Sequence, residues 1–248
     1  MAKIGFIGTG QIAAPMVRFL AARGHQITVT ERSRHLSSAL AASHGVAVSD
    51  AAGVLEASEV VVLSVRPHQV DEAMQGLQWR ADHRVISAMA ATPRARLEAL
   101  CAPATSFVQT IPLAFLEQGG CPLPAYGDDA LLAELFAPEN PVIKVASEEA
   151  LNAHFAICAM VPGLLDLMST GAGWLGDQTG DAAGAEAYTS GLMAGFMGAL
   201  SGTLAEARDA LATEGTLSLH MTRTLHQGGA HGALTKAMND IGERLRDA

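Results

Sequence analysis

Residues 8–13, Gly8-Thr9-Gly10-Gln11-Ile12-Ala13, form a G-x-G-x-x-A turn. A short apolar run, Lys3-Ile4-Gly5-Phe6-Ile7, leads into it, and Met16, Val17, Phe19 and Leu20 follow at helix-like spacing. Gly8 allows the tight turn, Gly10 lets backbone come close to a pyrophosphate, and Ala13 lets the helix lie against the strand. The helix start then offers unpaired N–H groups and a partial positive charge to phosphates. The chemistry indicated is dinucleotide binding, with contacts from Gly8, Thr9, Gly10, Gln11 and Ile12. The bland alternative is an α/β turn that holds no phosphate.

A second group of residues bears on which dinucleotide. At the end of the next strand stand Glu31, Arg32, Ser33 and Arg34. A carboxylate there hydrogen-bonds a ribose 2′-hydroxyl, whereas Arg and Ser favour a 2′-phosphate; Arg can grip a phosphate with two parallel bonds. The reading leans to NADP, with NAD as the other possibility. Glu31 is free in this reading to pair with Arg34 or to face solvent.

These residues must be positioned by a fold, and the chain supplies one in two halves. Its 248 residues, 49% hydrophobic, suffice for one large core or two smaller ones. Strand signals recur through the first half at Gln26–Thr30, Val46–Val48, Val60–Val65, Arg84–Met89 and Ser106–Thr110. Helical stretches at Leu36–Ser43, Asp50–Ala57 and Arg94–Leu100 alternate with them. That alternation predicts a doubly wound α/β sheet of parallel strands, with ligands at their carboxyl ends.

The character changes near Ser147, where Ser147-Glu148-Glu149 reads as a helix start. From there the chain reads as helices only, and no Lys or Arg occurs between Lys144 and Arg208. Gly191, Gly195, Gly198 and Gly202 stand there among Met, Phe and Leu, a pattern suited to a helix buried all round. Residues 1–146 are therefore expected to form the dinucleotide-binding domain and 147–248 an all-helical one. Covering such helices calls for a partner subunit, a homodimer or higher homo-oligomer.

Charge and composition narrow the partners. A net charge of −9 argues against nucleic acid. No run reaches the roughly 18–20 apolar residues of a membrane span; Leu192–Leu200 comes nearest and is short. The start lacks the apolar core and cleavage site of a signal peptide. Cys101, Cys121 and Cys158 are far apart, without metal-ligand spacing, and suit buried thiols in a reducing cytoplasm. No metal is expected, and the partner is a small-molecule substrate.

The chain resembles the pyrroline-5-carboxylate reductases over essentially its whole length. KIGFIGTGQIA is similar to that family's KIGFIGAGNMA, and Val65-Arg66-Pro67-His68 to its V-K-P-Q. Ser87-Ala88-Met89-Ala90-Ala91 is similar to its S-I-A-A-G, and Leu225-His226-Gln227-Gly228-Gly229 to a leucine–acidic–acidic–Gly-Gly segment. The resemblance implies hydride delivery from NADPH or NADH to a cyclic imine and dimerisation through an intertwined helical domain. It adds Ser64, Val65, Arg66 and Ala88 to the expected cofactor contacts. Related reductases often place Arg-Ser or Arg-Thr after the second strand for NADPH, as Arg32-Ser33 does here.

The departures concern the substrate. Leu113 stands where the family has the asparagine of M-P-N-T-P. Cys158-Ala159-Met160-Val161-Pro162 replaces S-G-S-G-P, keeping only Pro162. The family's S-P-G-G-T-T becomes Thr213-Glu214-Gly215-Thr216-Leu217-Ser218, so Ser218 takes the place of a hydroxyl near the imine nitrogen. A protonated imine accepts hydride better, so a donor there is useful. Ser218 is the implied catalytic residue, with Thr216 and Pro162 beside the substrate. For His154, His220, His226 and His231 a packing or surface role is the better reading, as is a surface or interface charge for Arg223. A more apolar pocket implies a substrate other than pyrroline-5-carboxylate itself.

Two other functions stay open. The β-hydroxyacid dehydrogenases share this architecture but use a lysine in the first long helix of the second domain. Here the lysines are Lys3, Lys144 and Lys236, none of them in that helix. The remaining alternative is a cofactor-binding protein with a decayed active site.

Overall fold

The computed structural model describes residues 1–31 and 34–246. Contacts divide the chain into Met1–Phe155, joined by the residues from Arg244 on, and Ala156–Glu243. The sequence-based boundary between residues 146 and 147 falls a short way before that division.

The first unit alternates strand and helix: β1 (Lys3–Ile7), α1 (Ala13–Ala22), β2 (Gln26–Thr30), α2 (Arg34–His44), β3 (Ala47–Ser49), α3 (Ala51–Glu56) and β4 (Val60–Leu63). A 3₁₀ turn, Pro67–Gln69, then leads into α4 (Val70–Met74), β5 (Arg84–Ser87), α5 (Arg94–Leu100) and β6 (Ser106–Gln109). The unit closes with β7 (Leu123–Gly127), α6 (Asp129–Phe136) and β8 (Val142–Lys144). The strands form one eight-stranded sheet in the order β3-β2-β1-β4-β5-β6-β7-β8. All neighbours run parallel except β6 and β7. Of these strands β7 and β8 were not legible in the sequence: Pro124 and Gly127 break the apolar pattern of β7, and β8 is three residues long.

Helices cover both faces, so the central strands β1, β4, β5 and β6 are buried on both sides, while the edge strands β3 and β8 are largely exposed. Side-chain alternation splits the interior into two apolar cores. Ile4, Phe6, Val60, Val62, Ile86 and Val108 join Met16, Val17 and Leu20 of α1 in one. Ile7, Val61, Leu63, Val85 and Phe107 join Val54 and Leu55 of α3 and Leu97 of α5 in the other. Gly5 in β1 permits the close approach of α3: a Cβ there would strike the Ser58 hydroxyl and lie 2.7 Å from Val54 Cγ1.

Helices make up the second part: α7 (Glu148–Cys158), α8 (Met160–Thr179), α9 (Ala182–Gly198), α10 (Leu204–Leu211), α11 (Leu217–Gln227) and α12 (Ala230–Arg246). Side-chain caps start several of them. Ser147 Oγ accepts from Ala150 N at 3.2 Å, Asp181 caps α9, and Thr203 and Glu206 form a reciprocal capping box on α10. Gly180, left-handed at φ 72°, closes α8 and lets α9 fold back along it.

Within the chain the glycine-bearing helix α9 buries only Ala185, while Tyr188, Phe196 and Met197 are exposed, so the chain itself does not supply the cover that its apolar residues call for. Gly202 lies beyond its end. One expectation about these helices is corrected: Leu192–Leu200 is not the nearest approach to a membrane span. The stretch Glu148–Thr179 passes by length and composition, with a mean hydropathy of 1.5 over its best 18 residues. A strict run is broken there by Asn152, His154 and Asp166, which a window average absorbs.

Candidate functional site

The glycine turn sits at the carboxyl end of β1, the middle of the parallel strands. Gly8 has φ 99°, and a Cβ on it would lie 2.5 Å from the Ser64 carbonyl oxygen and 2.9 Å from Val65 Cγ1. Glycine is therefore required there twice over, by backbone conformation and by space. Gly10 differs, because a Cβ on it would meet nothing within 4 Å. The space above Gly10 is open, as a cradle for an incoming phosphate must be. No side chain caps the start of α1; Ala14 N donates to the Gly10 carbonyl at 3.0 Å and Pro15 has no N–H, which leaves the Ala13 N–H and the positive end of the helix dipole to face an anion.

Threonines lock the turn. Thr30 Oγ1, at the end of β2, accepts from Gly8 N at 3.0 Å, and Thr9 Oγ1 donates to the Thr30 carbonyl at 2.7 Å. Ser64 N donates to the Ile7 carbonyl and Ala88 N to that of Leu63, extending the strand ladders to the carboxyl edge. Ser64, Val65 and Arg66 thereby join Gly8, Thr9 and Gly10 around a cleft of about 260 Å³. An adjoining cleft of about 370 Å³ shares Gly8 and Val65 and runs past Thr30 and Glu31 to Ser49, Asp50 and Glu72. Together they make a trough that runs over the turn from Arg66 to Asp50.

Its electrostatics are mixed. Glu31, Asp50 and Glu72 line the larger part, and no Lys or Arg does so among the described residues. Asp50 spends one oxygen on capping α3, accepting from Gly53 N at 2.8 Å. Arg34 Nε lies 3.2 Å from Glu31 Oε1, so the expected choice for Glu31 resolves to that pairing, with both side chains well exposed. Arg32 and Ser33, on which the NADP reading leans, lie outside the described residues. Asp50, Glu72 and Thr30 were not singled out in the sequence. Asp50 alone had a signal, as the residue opening a helix after a strand.

The substrate candidates belong to the helical unit. Thr216 is the N-cap of α11: its hydroxyl accepts from Leu219 N at 3.2 Å and donates to the Thr213 carbonyl at 2.7 Å. Its hydrogen-bonding capacity is largely used in the chain's own structure. Ser218 stands in the first turn of α11 and is exposed, as is Pro162 in α8. Arg223 pairs with Glu214 at 3.2 Å, His226 stacks on His231 with ring centroids 3.6 Å apart, and His154 Nδ1 lies 2.7 Å from the Ala150 carbonyl. In the first unit Leu113 packs against the α1-side core. Cys101 and Cys121 are buried, and burial pushes the Cys101 thiol up to about 12. Among the described residues no cluster of His, Cys, Asp and Glu could hold a metal.

Residues 3–91, the half of the sheet that bears the glycine turn, match the family described as NADP oxidoreductase coenzyme F420-dependent. No curated protein is similar to the chain in sequence. A pyrroline-5-carboxylate reductase from Coxiella burnetii superposes with a TM-score of 0.82 at 21% identity, over 99% of this chain and 98% of that one. The reductase from Streptococcus pyogenes gives 0.84 at 16% identity, over 100% and 99%. The chain has the fold of the pyrroline-5-carboxylate reductases. A third such structure, from Plasmodium falciparum with NADP bound, gives 0.83 at 12% identity over 99% and 97%. The likeness spans both units of the chain, so the α/β half and the helical half are the two parts of one known architecture.

Proposed function

We propose that this protein is an oxidoreductase that uses a nicotinamide dinucleotide to reduce the C=N bond of a small cyclic imine. The observation that carries the reading is the Gly8–Gly10 turn at the head of α1, with open space over Gly10, in a chain with the fold of pyrroline-5-carboxylate reductases. The NADP in the Plasmodium falciparum structure supports a nicotinamide cofactor here.

The residues divide the work. Gly8, Thr9, Gly10, Gln11 and Ile12 hold the pyrophosphate on backbone N–H groups and the start of α1. Ser64, Val65, Arg66 and Ala88 line the way from there toward the reacting end. When bound, the reduced nicotinamide supplies the hydride. Ser218 donates a hydrogen bond at the imine nitrogen, and Pro162 and Thr216 shape the substrate's surroundings, Thr216 by fixing the start of α11. The first unit serves the cofactor and the helical unit the substrate.

For the 2′ position, Arg32 and Ser33 favour NADP, while the lining of Glu31, Asp50 and Glu72 suits the free hydroxyl of NAD. Comparing KM for NADPH and NADH in wild type and Arg32→Ala assigns the preference: loss confined to NADPH makes Arg32 the deciding residue. The functional unit is a homodimer or higher homo-oligomer. Leu165, Leu167, Trp174 and Met197 are each more than half exposed, an apolar surface that a second copy would cover.

The test is consumption of NADPH and NADH with a panel of cyclic imines beside hydroxy and keto acids. Turnover of imines alone bears the reading out. Turnover of hydroxy acids instead would favour dehydrogenase chemistry, and tight cofactor binding with no turnover a decayed site.

A further inference from the structure

Among the described residues a single one other than glycine has left-handed backbone: Ala91, at φ 54°, in the loop after β5. A Cβ crowds the following carbonyl oxygen in that region, so such a residue persists only where its surroundings over-determine it. Hydrogen bonds do so here. Met89 N donates to Ser87 Oγ at 3.3 Å, Thr92 Oγ1 to the Ala90 carbonyl at 3.3 Å, and Arg94 N to Glu148 Oε1 at 2.7 Å. Between them Gln109 Nε2, reaching over from β6, donates to the Thr92 carbonyl at 3.0 Å in a buried setting.

Gln109 is an unusual residue to bury. It is 3% exposed, and its Oε1 has no hydrogen-bond partner. A buried glutamine that leaves half of its amide unsatisfied is costly. The retained half, the bond to Thr92, is what the side chain supplies in return. We propose that Gln109 is a positioning residue for the reacting end of the cofactor. By holding Thr92 it keeps Ala91 left-handed, and so fixes the path of the Ala88–Thr92 backbone at the carboxyl edge of the sheet, where ligands of such sheets lie. The proposal rests on the cofactor reading above, in which Ala88 borders the cofactor.

Four proteins test it: wild type, Gln109→Met, Ala91→Gly and the double variant. Each is titrated with NADPH, with NADH and with ADP-ribose, which lacks the nicotinamide, and each is melted thermally. Gln109→Met should weaken the better dinucleotide roughly tenfold while leaving ADP-ribose affinity within about twofold. Ala91→Gly should raise the melting temperature, because glycine adopts φ 54° without strain. The double variant should recover most of the lost dinucleotide affinity, since the backbone no longer needs to be held.

Equal losses for dinucleotide and ADP-ribose, no loss at all, or a loss that Ala91→Gly does not rescue would overturn the role of Gln109 and leave the cofactor reading standing. A wild-type protein that binds none of the three ligands would overturn the cofactor reading and this proposal with it.

Discussion

The Thr9 hydroxyl donates to the carbonyl of Thr30 at 2.7 Å, across 21 residues of chain. One bond thus ties the glycine turn after β1 to the end of β2, the two places where the halves of a dinucleotide would be held. Thr9→Val keeps the shape and removes the donor. It should lower stability by about 1 kcal/mol, the usual net worth of one such bond, and weaken dinucleotide binding severalfold. Denaturant unfolding and a fluorescence titration measure the two effects; binding as tight as wild type would show that the turn needs no such anchor.

Gly8 and Gly10 should respond in opposite ways. Gly8→Ala places a side chain at φ 99° and against the Ser64 carbonyl, so it should cost fold stability, about 1–3 kcal/mol for the backbone strain alone. Gly10→Val meets open space and should fold normally yet fail to bind the cofactor. A folded Gly10→Val protein with an unchanged NADPH titration would remove the turn from the site.

Acid should weaken the fold through the buried His83 and the partly buried His25. Burial, then the charge of Arg80, hold His83 below its ordinary value of 6.5, with Asp82 pulling the other way. His83 Nδ1 accepts from Arg80 N at 3.1 Å, and its other ring nitrogen is buried without a partner. The unfolded chain therefore takes up the proton first. Stability is fully present above pH 6.5 and is lost as pH falls from there toward the lowered folded value. His25 acts in the same direction, through burial and then the charges of the N-terminus and Arg23. Melting temperature should fall as pH drops below 6.5, and His83→Asn should flatten that fall; an identical slope in the variant would clear His83.

Ser218→Ala should reduce imine turnover by about 10²–10⁴-fold, the range for a hydrogen-bond donor or general acid in the transition state. Cofactor affinity should stay near wild type. With Leu113 and Met160 in place of polar side chains and Val161 in place of a glycine, pyrroline-5-carboxylate itself should be reduced slowly. Fast, saturable reduction of it would return the protein to proline synthesis, and turnover that survives Ser218→Ala would take Ser218 out of the mechanism.

Light scattering should give at least twice the chain's 25.7 kDa. Charging the exposed apolar surface, as in Leu167→Glu with Trp174→Glu, should lower that mass or precipitate the protein. A wild-type monomer at micromolar concentration would contradict the homo-oligomer.

Much of the first unit could be read from its residues because parallel strands are short, apolar and punctuated. Gln26–Thr30 and Arg94–Leu100 lie where the pattern puts them, and β4 stops at Leu63 because Ser64 already turns toward the cleft. The antiparallel β7 escaped because its neighbour is chosen by tertiary pairing, and Pro124 hides it. The glycine turn was legible because phosphate binding demands particular residue types in a row. Gln109 was not, since its role depends on a loop 17 residues away in sequence. In the helical half the apolar residues on every side of α9 signal burial, and within the chain they stay largely exposed, because cover of that kind comes from outside the segment that carries the signal.

Val61 and Val62 are neighbours in β4, yet they belong to different cores, Val62 with α1 and Val61 with α3 and α5. Their truncations share no packing partners, so the costs of Val61→Ala and Val62→Ala should simply add. Val62 and Ile86 sit side by side in the sheet and in one core, and for that pair the costs should couple. Thermodynamic proximity in this protein follows the face of the sheet and not the order of the chain.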